Sequence, residues 1–433
     1  MRFGNNNQKV VFALLLIYSL LPGIVKLFDI KEIFLLNVPI LIYLAFDARV
    51  NIYPVVIISA AYIAFSLLQS IIMMAFGASE VASTLTSFYM YLLPFVGIIS
   101  LRRFDVIDMF KLVAWIAFIH ALIGIFIFGF IELPSWLGEV SARLREGVFP
   151  FRMASVSGSI GFGILCTMGL ICSTYLARRP QGSFFMVISL ILFFSIILSQ
   201  QRSAWIVAIL FLVWHFSQSI FKNLPFLILI LVTASILILN LQSIDPEIGN
   251  FFIDRVTSSI GADGDSNIVS ERSHMWATSF NNFISNPIGL GLGQGGYIAQ
   301  TLGVNLNIVV TDGDYFRIMQ ESGMAGLLYY ISIIFLITKS FLTEKNTEFK
   351  YLLWIPISSL IQMIGSNLTE FYFTNYMFWI FIGAALNKPQ KLREFLSAMG
   401  DRSKSIFTQS KMMKSIKDSP LHDEYCGSFK DGR

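Results

Sequence analysis

The chain is built from long apolar runs parted by short polar breaks. A helix needs about 20 mostly apolar residues to cross the hydrocarbon core of a bilayer. About twelve segments approach that length, at roughly 10–28, 33–47, 52–76, 82–100, 108–130, 155–177, 183–200, 203–221, 224–241, 323–342, 349–366 and 370–386. The seventh and eighth are divided only by Gln200-Gln201-Arg202. The first run follows Arg2 and Lys9 as the core of a signal peptide would, but no small-residue cleavage site comes after it and more spans do, so it is expected to stay as a membrane anchor.

Two polar segments are longer than connectors. The first, about 131–154, carries a short amphipathic piece around Trp136 to Leu144. The second, about 242–322, is the longest polar stretch between spans, and loops beyond about 15 residues are usually functional or disordered. Part of it reads as a helix: Ser270-Glu271-Arg272-Ser273 opens a run with Met275, Trp276, Phe280 and Phe283 near helical spacing, and Asn286-Pro287 stops it. No internal repeat is visible. The expected organisation is a polytopic membrane domain over 1–386 and a basic, serine-rich tail over 387–433, disordered or lying on anionic lipid.

Composition agrees with the pattern. Hydrophobic residues make up 55% of the chain and charged residues 13%, against roughly 25% charged in ordinary soluble domains. The expected class is an all-α integral membrane protein. A net charge of +4 is too small to argue for nucleic acid, and the placement of the cations says more than their sum. With the N-terminus inside, the cytoplasmic breaks hold Arg2, Lys9, Arg49, Arg102-Arg103, Arg178-Arg179, Lys222, Lys339, Lys345 and Lys350, followed by the basic tail, as the positive-inside rule requires. Both termini are therefore expected in the cytoplasm. The opposite face keeps Lys26 and Lys31 and otherwise only arginines: Arg143, Arg145, Arg152, Arg202, Arg255, Arg272 and Arg317. Arginine's planar fork pairs bidentately with phosphate or carboxylate and stays ionised when buried, so an anion on the outer face is implied. For any single arginine, pairing with a nearby Glu132, Glu139, Glu146, Asp254 or Glu271 is an equal alternative. Cys166 and Cys172 share one apolar run and Cys426 is in the tail, a pattern that predicts neither disulfide nor bound metal.

Four features could carry chemistry. Arg202 sits between two apolar runs in Ser199-Gln200-Gln201-Arg202-Ser203, and an ionisable residue at the membrane boundary is by default a functional candidate; snorkelling to lipid phosphate is the alternative. Gly289-Leu290-Gly291-Leu292-Gly293-Gln294-Gly295-Gly296 lacks the strand, helix and lysine of a nucleotide loop, and reads either as a turn that lets backbone amides approach a ligand or as close packing. Asp312-Gly313-Asp314 places two carboxylates before the tenth span, with Arg317 and Glu321 about a turn on. Either aspartate could accept a proton from a sugar hydroxyl, or cap the helix. His274, beside Arg272, is a lone histidine on the loop helix.

Taken in order, Arg145-Glu-Gly-Val-Phe-Pro-Phe, Ser-Gln-Gln-Arg202-Ser-Ala-Trp, Ser-Glu-Arg272-Ser-His-Met-Trp, Asn-Pro-Ile-Gly-Leu-Gly-Leu-Gly, an acidic turn and Glu321-Ser-Gly-Met-Ala-Gly resemble the O-antigen polymerase and ligase (Wzy-like) superfamily over roughly residues 140–335. The resemblance implies a GT-C-like membrane glycosyltransferase of the bacterial inner membrane, working at the periplasmic face without cofactor, metal or nucleotide sugar. Its donor would be an oligosaccharide on undecaprenyl diphosphate, and a flippase and a chain-length regulator its pathway partners. By position, Arg202, Arg272 and Arg145 would hold the diphosphate, Asp312 or Asp314 would act on the acceptor, and Arg152, Arg317, Glu321 and His274 are further substrate contacts. Ligases of the superfamily typically carry a histidine where this chain has Asp312-Gly-Asp314, which favours a polymerase joining repeat units. The alternatives are a ligase acting on lipid A core and a polysaccharide transporter or flippase, although the latter usually shows repeats and midplane charges.

Overall fold

A computed structural model describes residues 6–28, 39–40, 42–43, 54–77, 79, 81–100, 106–128, 153–155, 158–180, 182–217, 250, 267–296 and 312–386. Among these the fold is helical: α1 (Asn6–Phe28), α2 (Pro54–Ala75), α3 (Val81–Ser100), α4 (Val106–Phe128), α5 (Gly158–Ala177), α6 (Ser183–Ser199), α7 (Arg202–Ser217), α8 (Asn267–Ser285), α9 (Asp314–Thr343), α10 (Thr347–Gln362), the 3-10 turn η1 (Leu368–Glu370) and α11 (Tyr372–Leu386). The expected spans at 33–47 (but for four helical residues) and 224–241, the piece around Trp136 to Leu144, most of the first long loop, residues 242–249, 251–266 and 297–311 of the second and the 387–433 tail lie outside the described residues.

Three of these helices are long and apolar enough to cross a membrane, within Val55–Ala75, Val106–Ile127 and Asp314–Thr343, and shorter apolar helices accompany them. The protein is a membrane protein, and its helices sort by the breadth of their apolar face. A helix apolar all round belongs in the core of its bundle, whereas a one-sided stripe belongs at the boundary. In α11 every residue from Phe373 to Ala385 is buried. In α5 the same holds from Gly161 to Leu176, including the free Cys166 and Cys172. By contrast α7 exposes Ile206, Ile209 and Val213, and α9 exposes Leu328, Ile331 and Phe335, apolar stripes at helical spacing that suit acyl chains rather than water.

Small residues let the inner helices approach closely, as expected where lipid supplies no hydrophobic drive for association. A Cβ on Gly97 of α3 would fall 2.6 Å from the Trp379 Cβ of α11, and one on Gly169 of α5 would fall 2.3 Å from the Ala117 Cβ of α4. Some buried polar groups bond across helices. His120 of α4 lies between Ser155 Oγ at 2.9 Å and Ser19 Oγ of α1 at 3.0 Å. Ser19 gives its own proton to the Leu16 carbonyl, so it accepts from His120 Nε2 and Ser155 donates to Nδ1.

One end of the bundle gathers the starts of α5, α7, α9 and α11 and the ends of α6 and α10. Met153 N–H donates to Leu198 O there, and Gly161 packs on Phe371. The other end gathers cations. Arg178 donates to the Tyr351 hydroxyl at 3.0 Å, Arg179 pairs with Glu348 at 3.9 Å, and Lys350 lies 5.4 Å from the Phe341 ring centroid.

The long helix α9 is broken at Gly323, whose backbone (φ 58°, ψ −141°) leaves the helical region. A break strands carbonyls inside the bundle, where each unpaired one would be strongly destabilising. The glycine-rich segment supplies the partners: Leu290 N–H bonds Gln320 O and Gly291 N–H bonds Glu321 O, both at 2.9 Å, while Met324 N–H returns to Pro287 O at 2.8 Å. From α2, Gln69 Nε2 reaches Ile288 O at 2.7 Å and Glu321 O at 2.9 Å. The amides at 290 and 291 are therefore engaged by the helix, which settles these two positions as close packing rather than a ligand cradle. Glycine is required on both sides of the seam. A Cβ on Gly289 (φ +91°) would meet Glu321 O at 2.5 Å, and one on Gly323 would meet Pro287 O at 2.2 Å. Gly323→Ala is expected to destabilise the fold by about 1–3 kcal/mol, the usual penalty for a non-glycine residue held in a sparsely populated conformation. A thermal unfolding midpoint in detergent equal to wild type would show instead that the seam yields.

Candidate functional site

At the end of the bundle opposite the Arg178 cluster, four segments meet: the Gln200–Arg202 turn, the start of α9, the glycine-rich strap and the 363–371 turn before α11. Gln200 adopts a left-handed backbone (φ 53°), which ends α6 and sends the chain back into α7. Arg202 is the first residue of α7 and is half-buried. Its neighbour Gln201 packs against Gly163 and donates through Nε2 to Ser366 Oγ at 3.1 Å and Ser203 Oγ at 3.2 Å. Ser203 and Ser366 are themselves 3.3 Å apart. The Arg202 turn is thereby fastened to the polar turn between α10 and α11.

That turn also holds the start of α9. Gly313 N–H donates to Asn367 Oδ1 at 2.8 Å, and Asp314 N–H to Met363 O at 2.9 Å. The Asp314 carboxylate accepts from Thr369 N–H at 2.8 Å, from the Thr369 hydroxyl and from Arg317 Nη2 at 3.1 Å. Arg317 also donates to Glu321 Oε2 at 2.9 Å and to Thr369 Oγ1. Glu321 accepts further bonds from the Tyr91 hydroxyl of α3 at 2.6 Å and from Gly295 N–H at 3.2 Å. The three charged side chains are spaced three and four residues apart, so they fall on one face of α9. Side-chain exposure is 4% for Arg317 and 0% for Asp314 and Glu321.

A third carboxylate stands beside this ion pair network. Glu370 closes η1, is half-buried, and accepts from Asn367 Nδ2 at 3.0 Å. The glycine strap runs between it and Arg317, since a Cβ on Gly296 would lie 2.5 Å from both Arg317 Cδ and Glu370 Oε1. Burial pushes the Glu370 carboxyl up to about 7; Arg317 and Asn367 oppose the shift, and Asp314 and Glu321 add to it. Two carboxylates thus bond one guanidinium and a third stands beside them on the more accessible side; burial raises the Asp314 carboxyl as well, against the pull of Arg317 and Thr369.

The residues singled out in the sequence divide accordingly. Arg202, Asp314, Arg317 and Glu321 come together at this end, with Asp314, Arg317 and Glu321 turned inward. Asp312 is half-buried at the turn before α9, and its backbone carbonyl accepts from Trp276 Nε1 at 2.6 Å. Trp276 stacks on Phe316 at 5.1 Å, which docks α8 on the start of α9. Arg272 lies on α8, its side chain outside the described residues, and His274 is exposed on the same helix. Arg145 and Arg152 lie outside the described residues. No group of His, Cys, Asp and Glu among the described residues could hold a metal ion. Sequence reading missed Gln201, Ser366, Asn367, Thr369, Glu370 and Tyr91. The signal available for five of them was position: Gln201 flanks Arg202, and Ser366-Asn367-Leu368-Thr369-Glu370 is a polar break on the same side as Arg202, with the only acid between the last two apolar runs.

Residues 187–331, which run from α6 through the strap to the middle of α9, match a family model described as O-antigen ligase. A curated relative, the O-antigen polymerase of Salmonella muenchen, is 26% identical over 247 residues, covering 55% of this chain and 56% of that protein. The match thus spans little more than half the relative's length. The family model covers the Arg202 turn, the glycine strap and the Asp314–Arg317–Glu321 face, the segments whose order carries the resemblance read in the sequence. By these matches the chain is similar, over the segments that build this site, to the O-antigen polymerases and ligases.

Proposed function

We propose that the protein is a polysaccharide polymerase that transfers a growing chain from one undecaprenyl-diphosphate carrier, through its reducing-end sugar, onto a hydroxyl of the next lipid-linked repeat unit. The observation that carries the reading is the union of the Arg202 turn with the acidic turn at Ser366–Glu370, which joins a membrane-boundary guanidinium to carboxylates in one site. Arg202 with Arg272 and Arg145 holds the diphosphate and offsets the charge that develops on it as the glycosidic bond breaks. An acid of the same cluster receives or orients the acceptor hydroxyl, with Asp312 and Asp314 the two marked by the sequence. Arg152, Arg317, Glu321 and His274 complete the substrate surroundings, Arg317 and Glu321 from the interior side. Direct displacement at the anomeric carbon inverts its configuration, by analogy with inverting hydrolysis.

In this reading the Arg202 end faces the periplasm of a bacterial inner membrane and the Arg178 end faces the cytoplasm, following the distribution of Lys and Arg. The GT-C-like enzyme needs neither nucleotide nor metal. A second reading, ligation of the glycan to lipid A core, draws support from the description of the matching family model.

Purified protein incubated with a defined undecaprenyl-diphosphate repeat unit and chelator, without nucleotide sugar, is expected to give a product ladder on a gel. Transfer only to added lipid A core would make the protein a ligase, and no transfer to either acceptor would overturn both readings.

A further inference from the structure

We infer that Glu370 is the proton acceptor of this site: its carboxylate takes the hydrogen of the acceptor hydroxyl as that oxygen bonds to the anomeric carbon of the donor. The bond from that carbon to the carrier diphosphate breaks in the same displacement, the electron pair leaves with the diphosphate, and the proton ends on Glu370. The assignment rests on the proposed transfer and names the group that drives its acceptor side.

Geometry separates Glu370 from Asp314 and Glu321. Asp314 is fully buried and holds Thr369 N–H, the Thr369 hydroxyl and Arg317. Glu321 is fully buried and holds Arg317, the Tyr91 hydroxyl and Gly295 N–H. Both carboxylates are committed to shaping the site. Glu370 is half-buried, is oriented by Asn367, and stands on the turn that Gln201 and Ser203 fasten to Arg202. Donor-side guanidinium and acceptor-side carboxylate are therefore carried by two turns bonded to each other.

The charges facing Glu370 suit a base. From α9 come Arg317, Asp314 and Glu321, from α11 comes Tyr372, and the strap brings the Gly296 backbone against it. With one guanidinium already shared by two carboxylates, a third carboxylate beside them retains a proton up to about pH 7. A general base works best when its pKa lies near the working pH. The linkage has a consistent sign. The folded-state value is raised, so the group's contribution to stability is present below its ordinary 4.5 and is lost as pH rises through about 7. Holding the base in its ionised form therefore weakens the fold.

The test uses full-length protein in detergent with the lipid-linked repeat unit, comparing wild type, Glu370→Gln, Glu370→Asp and Asp312→Asn from pH 5.5 to 9. Glutamine keeps an oxygen to accept from Asn367, so the turn is retained. Expected are a wild-type kcat that rises tenfold per pH unit and levels above about 7, and a fall of about 10²- to 10⁴-fold in Glu370→Gln with loss of that limb and little change in KM. Glu370→Asp should keep the limb at a lower rate, and the unfolding midpoint of Glu370→Gln at pH 8 should equal or exceed that of wild type, which a purely structural role would not give. A Glu370→Gln enzyme with the wild-type rate and pH limb, or loss of the limb in Asp312→Asn instead, overturns the assignment while the proposed transfer stands. Wild-type protein that transfers nothing at any pH overturns the transfer itself and the assignment with it.

Discussion

Arg317→Met is expected to be the most destabilising single substitution in the described helices, at about 3–5 kcal/mol, because it leaves Asp314 and Glu321 buried without their counter-charge. The guanidinium bonds both carboxylates, at 3.1 and 2.9 Å, and all three side chains are almost wholly excluded from solvent. A buried ion pair is not itself strong support for a fold, since desolvation offsets most of its attraction. Removing one partner is different, because an uncompensated charge then remains inside. The neutral set Arg317→Met, Asp314→Asn and Glu321→Gln should accordingly recover much of the loss, since the amide oxygens introduced at the two acidic positions would still accept from Thr369 and Tyr91. Thermal unfolding in detergent of the single and triple variants checks this. A single variant as stable as wild type would mean that the network is hydrated and carries no structural weight.

Arg202→Ala is expected to abolish long polymer while single lipid-linked repeats accumulate. Removing one preorganised donor from a developing anion commonly lowers the rate by about 10²- to 10³-fold, and a processive ladder magnifies any such loss at each addition. Arg202→Lys should restore only part of the activity, because an ammonium is a hydrated point charge and cannot offer the two parallel donors that a diphosphate accepts. The fold should survive both changes, since Arg202 is half-buried and Gln201 and Ser203 tie this turn to Ser366. Product ladders from stably expressed variants decide the point, and normal chain length in Arg202→Ala would remove the residue from the reaction.

How far the sequence could be read depends on the range of the interaction involved. The loop helix was legible nearly to its ends: Ser270 to Asn286-Pro287 marks a helix, and α8 runs Asn267–Ser285. Capping, periodicity and proline act within a few residues, so they are written locally. The tenth apolar run was read from about 323, yet α9 begins at Asp314. A hydropathy reading treats Asp314, Arg317 and Glu321 as a polar loop. In the fold they neutralise one another along one helix face, and that lets the helix extend back through them.

By itself the sequence determined that the protein is membrane-bound, that the breaks read as the outer face carry arginines as their cations apart from two early lysines, and that the Arg202, Arg272 and Glu321 segments follow one another in an order that resembles a family's. These properties are sums over composition or neighbours in the chain. Only the tertiary structure decided that the glycines seal a helix break, that Glu321 meets Tyr91 from 230 residues away, and that Ser366 meets Gln201 from 165 away. The same holds for Glu370, an unremarked acid in a short turn that becomes the accessible member of a crowded carboxylate cluster. The physical reason is that desolvation and the pairing of charges depend on what packs around a group, and those neighbours are brought together by folding rather than by order along the chain.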